Sequence, residues 1–572
     1  MRLHRGIWSL LLFAGSLAAQ DPKDPKTPKE ANEPAKPSEA PKKTVLVPLE
    51  DEPDVAGKPD SWTKSAGALQ KAIEAKSPAG VTGAAKDVGS WDSAETATKL
   101  ISAFLQCVKQ LEAEDSKDQK AIKALDDDVT TLINAYVKAM TSQSNTSIAD
   151  FKREQAKYKD LTKAEELFSD RMLAFDRMVE DLLEAVGHLR TKEATQTILK
   201  QAQASFNLRY RARLIEALGA IRTATSMVGL VEILQKSTRE VEALAAVRAL
   251  RAIGVPTPES VPALVAALAS EYRQIRTTAA FALAEMDAKD NTGAIIEAMK
   301  GVGGQTAWDL NEALKKLTGV DKHANVDAWR EWWTRSRDAV LAGIYKPDAQ
   351  EKAGVLGSTT TFYGVPVVST AVAFVVDTSG SMWEPARYVP GKDDDGKALG
   401  LKLAGNLKIN VAQYELKKVL LRMPVDSTVL LVFFDGAVRV QSGGPVRLTE
   451  GKRKTLIDLV DAIKTPGGMT NLWGAVTRAE SYAGDPAAPT LKKDGIDTIY
   501  ALTDGVPTVG VSETGKFLKR YGYLNRYLQV RVHTLEITQD PASKKPGDDE
   551  EKEAKPLLEG LAEEANGKFI ER

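Results

Sequence analysis

Ala371-Val-Ala-Phe-Val-Val-Asp-Thr-Ser-Gly-Ser-Met382 begins with an unbroken apolar run and ends with oxygen-bearing side chains at alternate positions, Asp377, Ser379 and Ser381. Such a run reads as a strand buried on both faces, which puts the polar triplet in a tight loop at the strand's carboxyl end. Val429–Phe434, Ile496–Leu502 and Val530–Ile537 repeat the apolar pattern. Helical periodicities fall between and after them, at Ile409–Arg422, Arg453–Ile463, Leu472–Ala483, Gly515–Leu528 and Leu557–Ala565. Alternating strand and helix predicts an α/β, doubly wound layer: a parallel sheet covered on both faces. Ala437–Val440, after the turn at Asp435-Gly436, is expected as a short antiparallel edge strand. In open sheets of this kind, ligands sit at the carboxyl ends of the strands.

Two further polar segments fall at such places. Gly467-Gly-Met-Thr-Asn-Leu472 brings Thr470 to the start of a helix, and Thr503-Asp504-Gly505 follows a strand. Asp377, Ser379, Ser381, Thr470 and Asp504 together offer two carboxylates and three hydroxyls. A hard-oxygen set without thiolate or imidazole suits Mg²⁺ or Mn²⁺, with water completing the octahedron, and does not suit zinc or copper.

These segments, in this order, resemble the von Willebrand factor A (VWA) domain and its metal-ion-dependent adhesion site. Asp377, Ser379 and Ser381 match the family's Asp-x-Ser-x-Ser motif, Thr470 its threonine and Asp504 its second aspartate. The resemblance covers residues 371–572 and implies a Rossmann-like fold. It implies that the five residues hold Mg²⁺ (or Mn²⁺ or Ca²⁺), directly or through water. It also implies that an open coordination position accepts a carboxylate from a partner protein. Two polar insertions depart from a minimal domain: Trp383–Lys408, with Asp393-Asp394-Asp395, and Thr538–Pro556, with Asp548–Glu551. Both follow expected parallel strands, so both are expected on the metal-bearing face.

The N-terminal half is of another class. Leu100, Ile101, Phe104, Leu105, Val108 and Leu111 recur at helical spacing, with Cys107 beside them as a small buried hydrophobe. Further helices are expected at Lys117–Met140 and Ile148–Leu189. A six-residue unit then recurs: Glu184–Leu189, Glu216–Ile221, Arg248–Ile253, Phe281–Met286 and Glu312–Leu317, at offsets of 32, 32, 33 and 31 residues. A fixed period of that size signals stacked helix pairs. The units resemble HEAT-like α-solenoid repeats, a scaffold with an extended binding surface or a rigid spacer. Trp329, Trp332 and Trp333, on one helix face, are expected to close the last repeat. Asp321, Asn325 and Asp327 lack the spacing and glycine of a calcium loop and read as a capped turn.

Met1–Ala19 reads as a secretory signal: basic Arg2 and Arg5, a short apolar stretch, then Ser16-Leu17-Ala18. Retention as an anchor is the alternative. Residues 20–60, rich in Pro and Lys, read as a solvated linker. The expected organisation is thus 1–19 signal, 20–60 linker, 61–165 helical region, 166–345 solenoid, 346–370 linker and 371–572 VWA domain, in an exported protein of the periplasm or exterior. The combination resembles multidomain exported proteins of bacteria.

Composition narrows the function. The 572 residues carry 77 Lys plus Arg against 78 Asp plus Glu, so no basic excess draws the chain to nucleic acid. One cysteine excludes a disulfide framework. The leading expectation is a non-enzymatic, cation-dependent binding protein, with a second partner on the solenoid surface. The alternative is an envelope scaffold in which the cation only stabilises. A metal-dependent hydrolase is the third reading: Asp377 lacks a second aspartate two residues on, His533 lies inside an apolar strand, and no Walker-type phosphate loop occurs.

Overall fold

The computed structural model describes residues 48–141, 148–203, 207–353, 360–391, 395–464, 467–485, 489–543 and 554–572. The expected signal, most of the first linker, Asp393-Asp394 and Asp548–Glu551 lie outside the described residues.

Each recurring hexad ends the first helix of a pair. The first helices are the end of Ile148–Gly187, then Leu208–Ile221, Glu240–Ile253, Arg273–Glu285 and Gly304–Thr318. Their partners are Lys192–Ala202, Ala224–Lys236, Ser260–Ala267, Thr292–Ala298 and Val326–Leu341. The hexad leucines and isoleucines are buried throughout. Small residues set how closely neighbours approach: a Cβ on Gly187 would lie 2.8 Å from Ala220 Cβ, and one on Gly219 would lie 2.9 Å from the Ala249 backbone. Thr191 and Thr223 hydroxyls cap the second helices they precede. The Trp cluster closes the array as expected: Trp329 and Trp332 are buried, and their ring nitrogens donate to Asn311 Oδ1 (2.9 Å) and the Tyr345 hydroxyl (2.7 Å). Asn325 caps the helix it precedes, and Asp321 accepts from Asn311 and the His323 N–H, so this segment is a capped turn.

Two expectations about the N-terminal half need correction. The separate helices near Leu100 and Lys117 are one helix, Ala94–Thr141, because the charged stretch between them contains neither Pro nor Gly to break it. It packs along Ile148–Gly187, with Arg171–Asp118 and Lys157–Asp128 ion pairs between the two. The end of the expected solvated linker, in turn, lies along the helices. Glu50 N–H donates to Arg222 O (2.9 Å), Glu52 accepts from Thr225 N–H (2.8 Å) and Ala56 O accepts from the Trp91 ring (2.8 Å). Cys107 is buried, and burial pushes its thiol up to about 11.

The C-terminal region is built on one seven-stranded sheet. Its strands are β1 (Ala371–Asp377), β2 (Thr428–Phe434), β3 (Val438–Val440), β4 (Val446–Arg447), β5 (Thr498–Thr503), β6 (Arg531–Glu536) and β7 (Phe569–Glu571). The order is β7-β6-β5-β1-β2-β3, with β4 also on β2. The β7 to β2 pairings are parallel; β3 and β4 run antiparallel to β2. Side chains alternate between two cores. Val372, Phe374 and Val376 face helices Lys408–Arg422 and Glu450–Asp461. Ala373 and Val375 face helices Leu472–Glu480, Thr514–Leu528 and Ala554–Glu564. Part of the expected linker at 346–370 belongs here: Thr361–Phe362 and Val365–Pro366 form a hairpin whose Phe362 and Val365 are buried in the first core.

Helix 514–528 lies between the sheet and the first helices of the repeats. Its outer face is ionic. Arg520, 5% exposed, bonds Glu165 and Ser169 and stacks between Phe168 and Trp473, each 4.5 Å away. Lys516 pairs with Glu166 (2.9 Å) and Asp170 (2.8 Å), and Arg526 with Glu216; beyond the helix, Arg531 of β6 pairs with Asp309 (2.8 Å). Glu480, on the neighbouring helix, is fully buried, and neither carboxyl oxygen has a hydrogen-bond partner among the described residues. Burial raises it to about 8, against the opposing charge of Arg209.

Arg520→Ala leaves Glu165 buried without its counter-charge and should cost about 3–5 kcal/mol, measured by chemical denaturation; Arg520→Met with Glu165→Gln should recover most of it. Glu480 holds its proton in the fold while the unfolded chain releases it. Its contribution is therefore full below about 4.5 and lost as pH rises to about 8. Glu480→Gln should leave the melting temperature unchanged at the acid end of that window and raise it at the alkaline end.

Candidate metal centre

β1 sits where the chain's course across the sheet reverses: β2 pairs on one side and β5 on the other. Such a switch point leaves a crevice at the strands' carboxyl ends. Asp377 is the last residue of β1, and Asp504 follows the last residue of β5. Both are buried, at 0% and 4% exposure.

A continuous chain of hydrogen bonds joins the two. Asp377 Oδ1 accepts the Ser379 N–H (2.7 Å), and Asp377 Oδ2 accepts the Thr503 hydroxyl (2.6 Å). Ser379 Oγ lies 3.3 Å from Ser381 Oγ, and Ser381 Oγ donates to Asp504 Oδ1 (2.8 Å). Burial, and after it the negative charge of Asp504, pushes the Asp377 carboxyl well above its ordinary range, against the Thr503 and Ser379 hydrogen bonds. A site holding its acidic groups this far from water favours an added positive charge.

The loop carrying Thr470 is held against the same place by its backbone. Gly467 N–H donates to Thr378 O (2.8 Å), and Thr470 exchanges hydrogen bonds with Thr508: its N–H donates to the Thr508 hydroxyl (2.9 Å) and its carbonyl accepts the Thr508 N–H (2.9 Å). Among the described residues, no hydrogen bond joins the Thr470 hydroxyl to the other four side chains. Structure thus links Asp377, Ser379, Ser381 and Asp504 directly, and Thr470 through loop backbone. Gly467 is required here because a Cβ would overlap the Asp435 carboxylate. Asp435 is itself fixed by Arg439 (2.6 Å) and by the Ala437 N–H (2.8 Å), and its carbonyl accepts from Asn471, the cap of helix 472–480.

Two carboxylates and three hydroxyls are donors of the kind a small hard cation takes. The serine–serine and serine–aspartate separations, 3.3 and 2.8 Å, are hydrogen-bond distances. No group of three or more His, Cys, Asp or Glu side chains converges among the described residues, so a cation here would lean on hydroxyls and water.

Sequence reasoning missed one neighbour. Lys408, the first residue of helix 408–422, places its ammonium 2.9 Å from Asp504 Oδ2 and 3.4 Å from Glu384 Oε2. A cation at a helix N-terminus opposes the helix dipole, and that local misfit was the available signal. The insertion it closes is pinched at its neck: Lys408 N–H donates to Glu384 O (2.9 Å) and Ala386 N–H to Asn406 O (2.8 Å). The second insertion joins there, with Arg387 N–H donating to Thr538 O (2.9 Å) and Asp540 N–H to Pro385 O (2.9 Å). Both insertions therefore leave from the end of the sheet that carries Asp377 and Asp504. His533 is a packed strand residue: it stacks on Tyr500 (4.8 Å), its Nδ1 accepts the Lys568 N–H (3.0 Å), and burial lowers it to about 3.

Residues 243–270 match the family model described as a PBS lyase HEAT-like repeat. No curated protein matches the chain. Among solved structures, a point mutant of the PilB minor pilin from Streptococcus sanguinis is similar over 39% of this chain and 59% of its own, at 14% identity and a TM-score of 0.24. An engineered protein is similar over 51% of this chain and 92% of its own, at 15% identity and a TM-score of 0.20. At these scores neither likeness bears on function. Among the described residues, no helix is long and apolar enough to cross a membrane.

Gly467→Ala should lower stability by about 1–3 kcal/mol through overpacking against Asp435. Gly468→Ala, whose Cβ would meet nothing within 4 Å, should cost little. Thermal melts of the two variants check the pair.

Proposed function

We propose that the C-terminal region is a VWA-type domain that binds Mg²⁺ or Mn²⁺ and uses it to take a carboxylate of a partner protein, with the HEAT-like repeats as its scaffold. One observation carries this reading: the run of hydrogen bonds from Asp377 through the Ser379 N–H, and from the Ser379 hydroxyl through Ser381 to Asp504, spanning the ends of adjacent parallel strands at the switch point. Asp377, Ser379, Ser381 and Asp504 would hold the ion, and Thr470, presented by the stitched loop, would complete the set directly or through water. The bound ion would supply a concentrated positive charge and no redox chemistry. Buried carboxylates held ready at a crevice are what such an ion requires. The protein residues fix the donors, and the two insertions would frame the face and select the partner. This role is non-enzymatic, and His533, neutral and packed in the sheet, is no candidate base for it.

Export to the periplasm or exterior, read from Met1–Ala19, belongs to the same proposal. A second protein on the solenoid would have to use faces other than the row of first helices that helix 514–528 already covers. That cis contact favours the alternative reading in one respect: the repeats here support their own chain, as a structural envelope scaffold would, and the cation would only pin loops.

Isothermal titration with Mn²⁺ and Mg²⁺ should show saturable binding by the intact chain and its loss in Asp377→Ala and Asp504→Ala. Immobilised acidic peptides should then retain the protein in Mg²⁺ and release it in chelator. Undiminished cation binding in both variants would remove the proposal. Cation binding and cation-stabilised melting without any cation-dependent retention would leave the scaffold reading.

A further inference from the structure

We infer that Lys408 and a divalent cation are alternative counter-charges for Asp504, so that the site is built to stay folded without its ion. The inference rests on the cation reading above.

Asp377 and Asp504 are two carboxylates in one crevice, almost fully withdrawn from water. Within a protein, such charges persist only with a counter-charge and with their hydrogen-bonding capacity used. Asp504 divides its two oxygens. Oδ1 accepts the Ser381 hydroxyl and faces the oxygen run; Oδ2 accepts the Lys408 ammonium. Lys408 is as buried as its partner, at 1% exposure. Its other acidic neighbour, Glu384, is 44% exposed and keeps water as a competing partner.

Nothing local explains the lysine. It begins a helix, where the dipole repels a cation, and its stem is enclosed instead of running out to solvent. The strand-like neck fixes its backbone: its N–H is bonded to Glu384 O, and Leu407 pairs with Pro385. The ammonium is thus held at Asp504 by the same clamp that closes the insertion. It neutralises one carboxylate through Oδ2, leaving Oδ1 on the Ser381 hydroxyl. Lys408 thereby lowers the negative charge available to the ion.

The test compares wild type, Lys408→Met and Lys408→Arg as full chains, by titration with Mn²⁺ and by thermal melting in millimolar Mn²⁺ or in chelator. Without the ammonium, the fold should depend on the ion. Lys408→Met should melt well below wild type in chelator and return close to it in Mn²⁺, as linkage requires of a ligand bound only by the folded state. Its Mn²⁺ affinity should exceed that of wild type by about tenfold or more, since a unit charge a few ångströms away is removed. Lys408→Arg should behave as wild type. Equal Mn²⁺ affinity in wild type and Lys408→Met overturns the inference and leaves the cation reading intact. Failure of Lys408→Met to fold even in Mn²⁺ also overturns it, because the ion then does not replace the ammonium. Absence of Mn²⁺ binding in all three proteins removes the cation reading and the inference together.

Discussion

A helix leaves its last carbonyls without intrahelical partners, and burying them unpaired is costly. Helix 514–528 ends in that situation, enclosed between the sheet and the helical repeats. The repeats supply the donors. Arg248 bonds Arg526 O, Arg273 bonds Leu528 O and Gln529 O, Gln274 bonds Leu528 O, and Arg209 reaches back to Tyr523 O. These donors come from three successive first helices of the stacked pairs, so one repeat spacing is matched to the end of one sheet-region helix. Cationic side chains at a helix C-terminus also meet the favourable end of its dipole. Arg520–Glu165 and Arg526–Glu216 add charge pairs to the same contact. The two halves accordingly belong to one compact unit, residues 44–572.

The candidate site is built on the opposite logic. Acidic groups are placed where the sheet's switch point removes them from water, and three loops are tied to one another by short hydrogen bonds. Gly467 to Thr378, Thr470 to Thr508 and Ser381 to Asp504 make the loops a closed ring. For the cation site proposed above, such a ring would hold the donors in place where an acidic surface leaves them free.

Much of this was legible in the chain. The unbroken apolar runs located β1, β2, β5 and β6 to within a residue or two, since strands buried on both faces leave no other pattern. The period of the hexads located every first helix of the repeats, because each must present Ala and Leu to its neighbour. Asp377 and Asp504 could be placed at strand ends by the same reasoning. What escaped depends on distant parts of the fold. The residues around Phe362 look like linker, yet the hairpin fills a core that only the folded sheet creates. The run from Glu112 to Ser116 looks like a break between helices, but charge alone does not end a helix. Lys408 carries no motif, and its meaning comes from a carboxylate nearly a hundred positions away. The ionic face of the repeats reads as solvated surface until helix 514–528 is laid on it.

The pinched neck at Pro385–Ala386 and Asn406–Lys408 has an evolutionary consequence. The excursion between is closed off at its base and stitched there to Thr538–Asp540. Beyond the neck Tyr388 and Leu403 still anchor it on the first core, Tyr388 against Tyr363 and Arg572. Substitutions that spare those anchors leave the hydrogen bonds of the acidic pair untouched, so variation is channelled to the positions between neck and anchors.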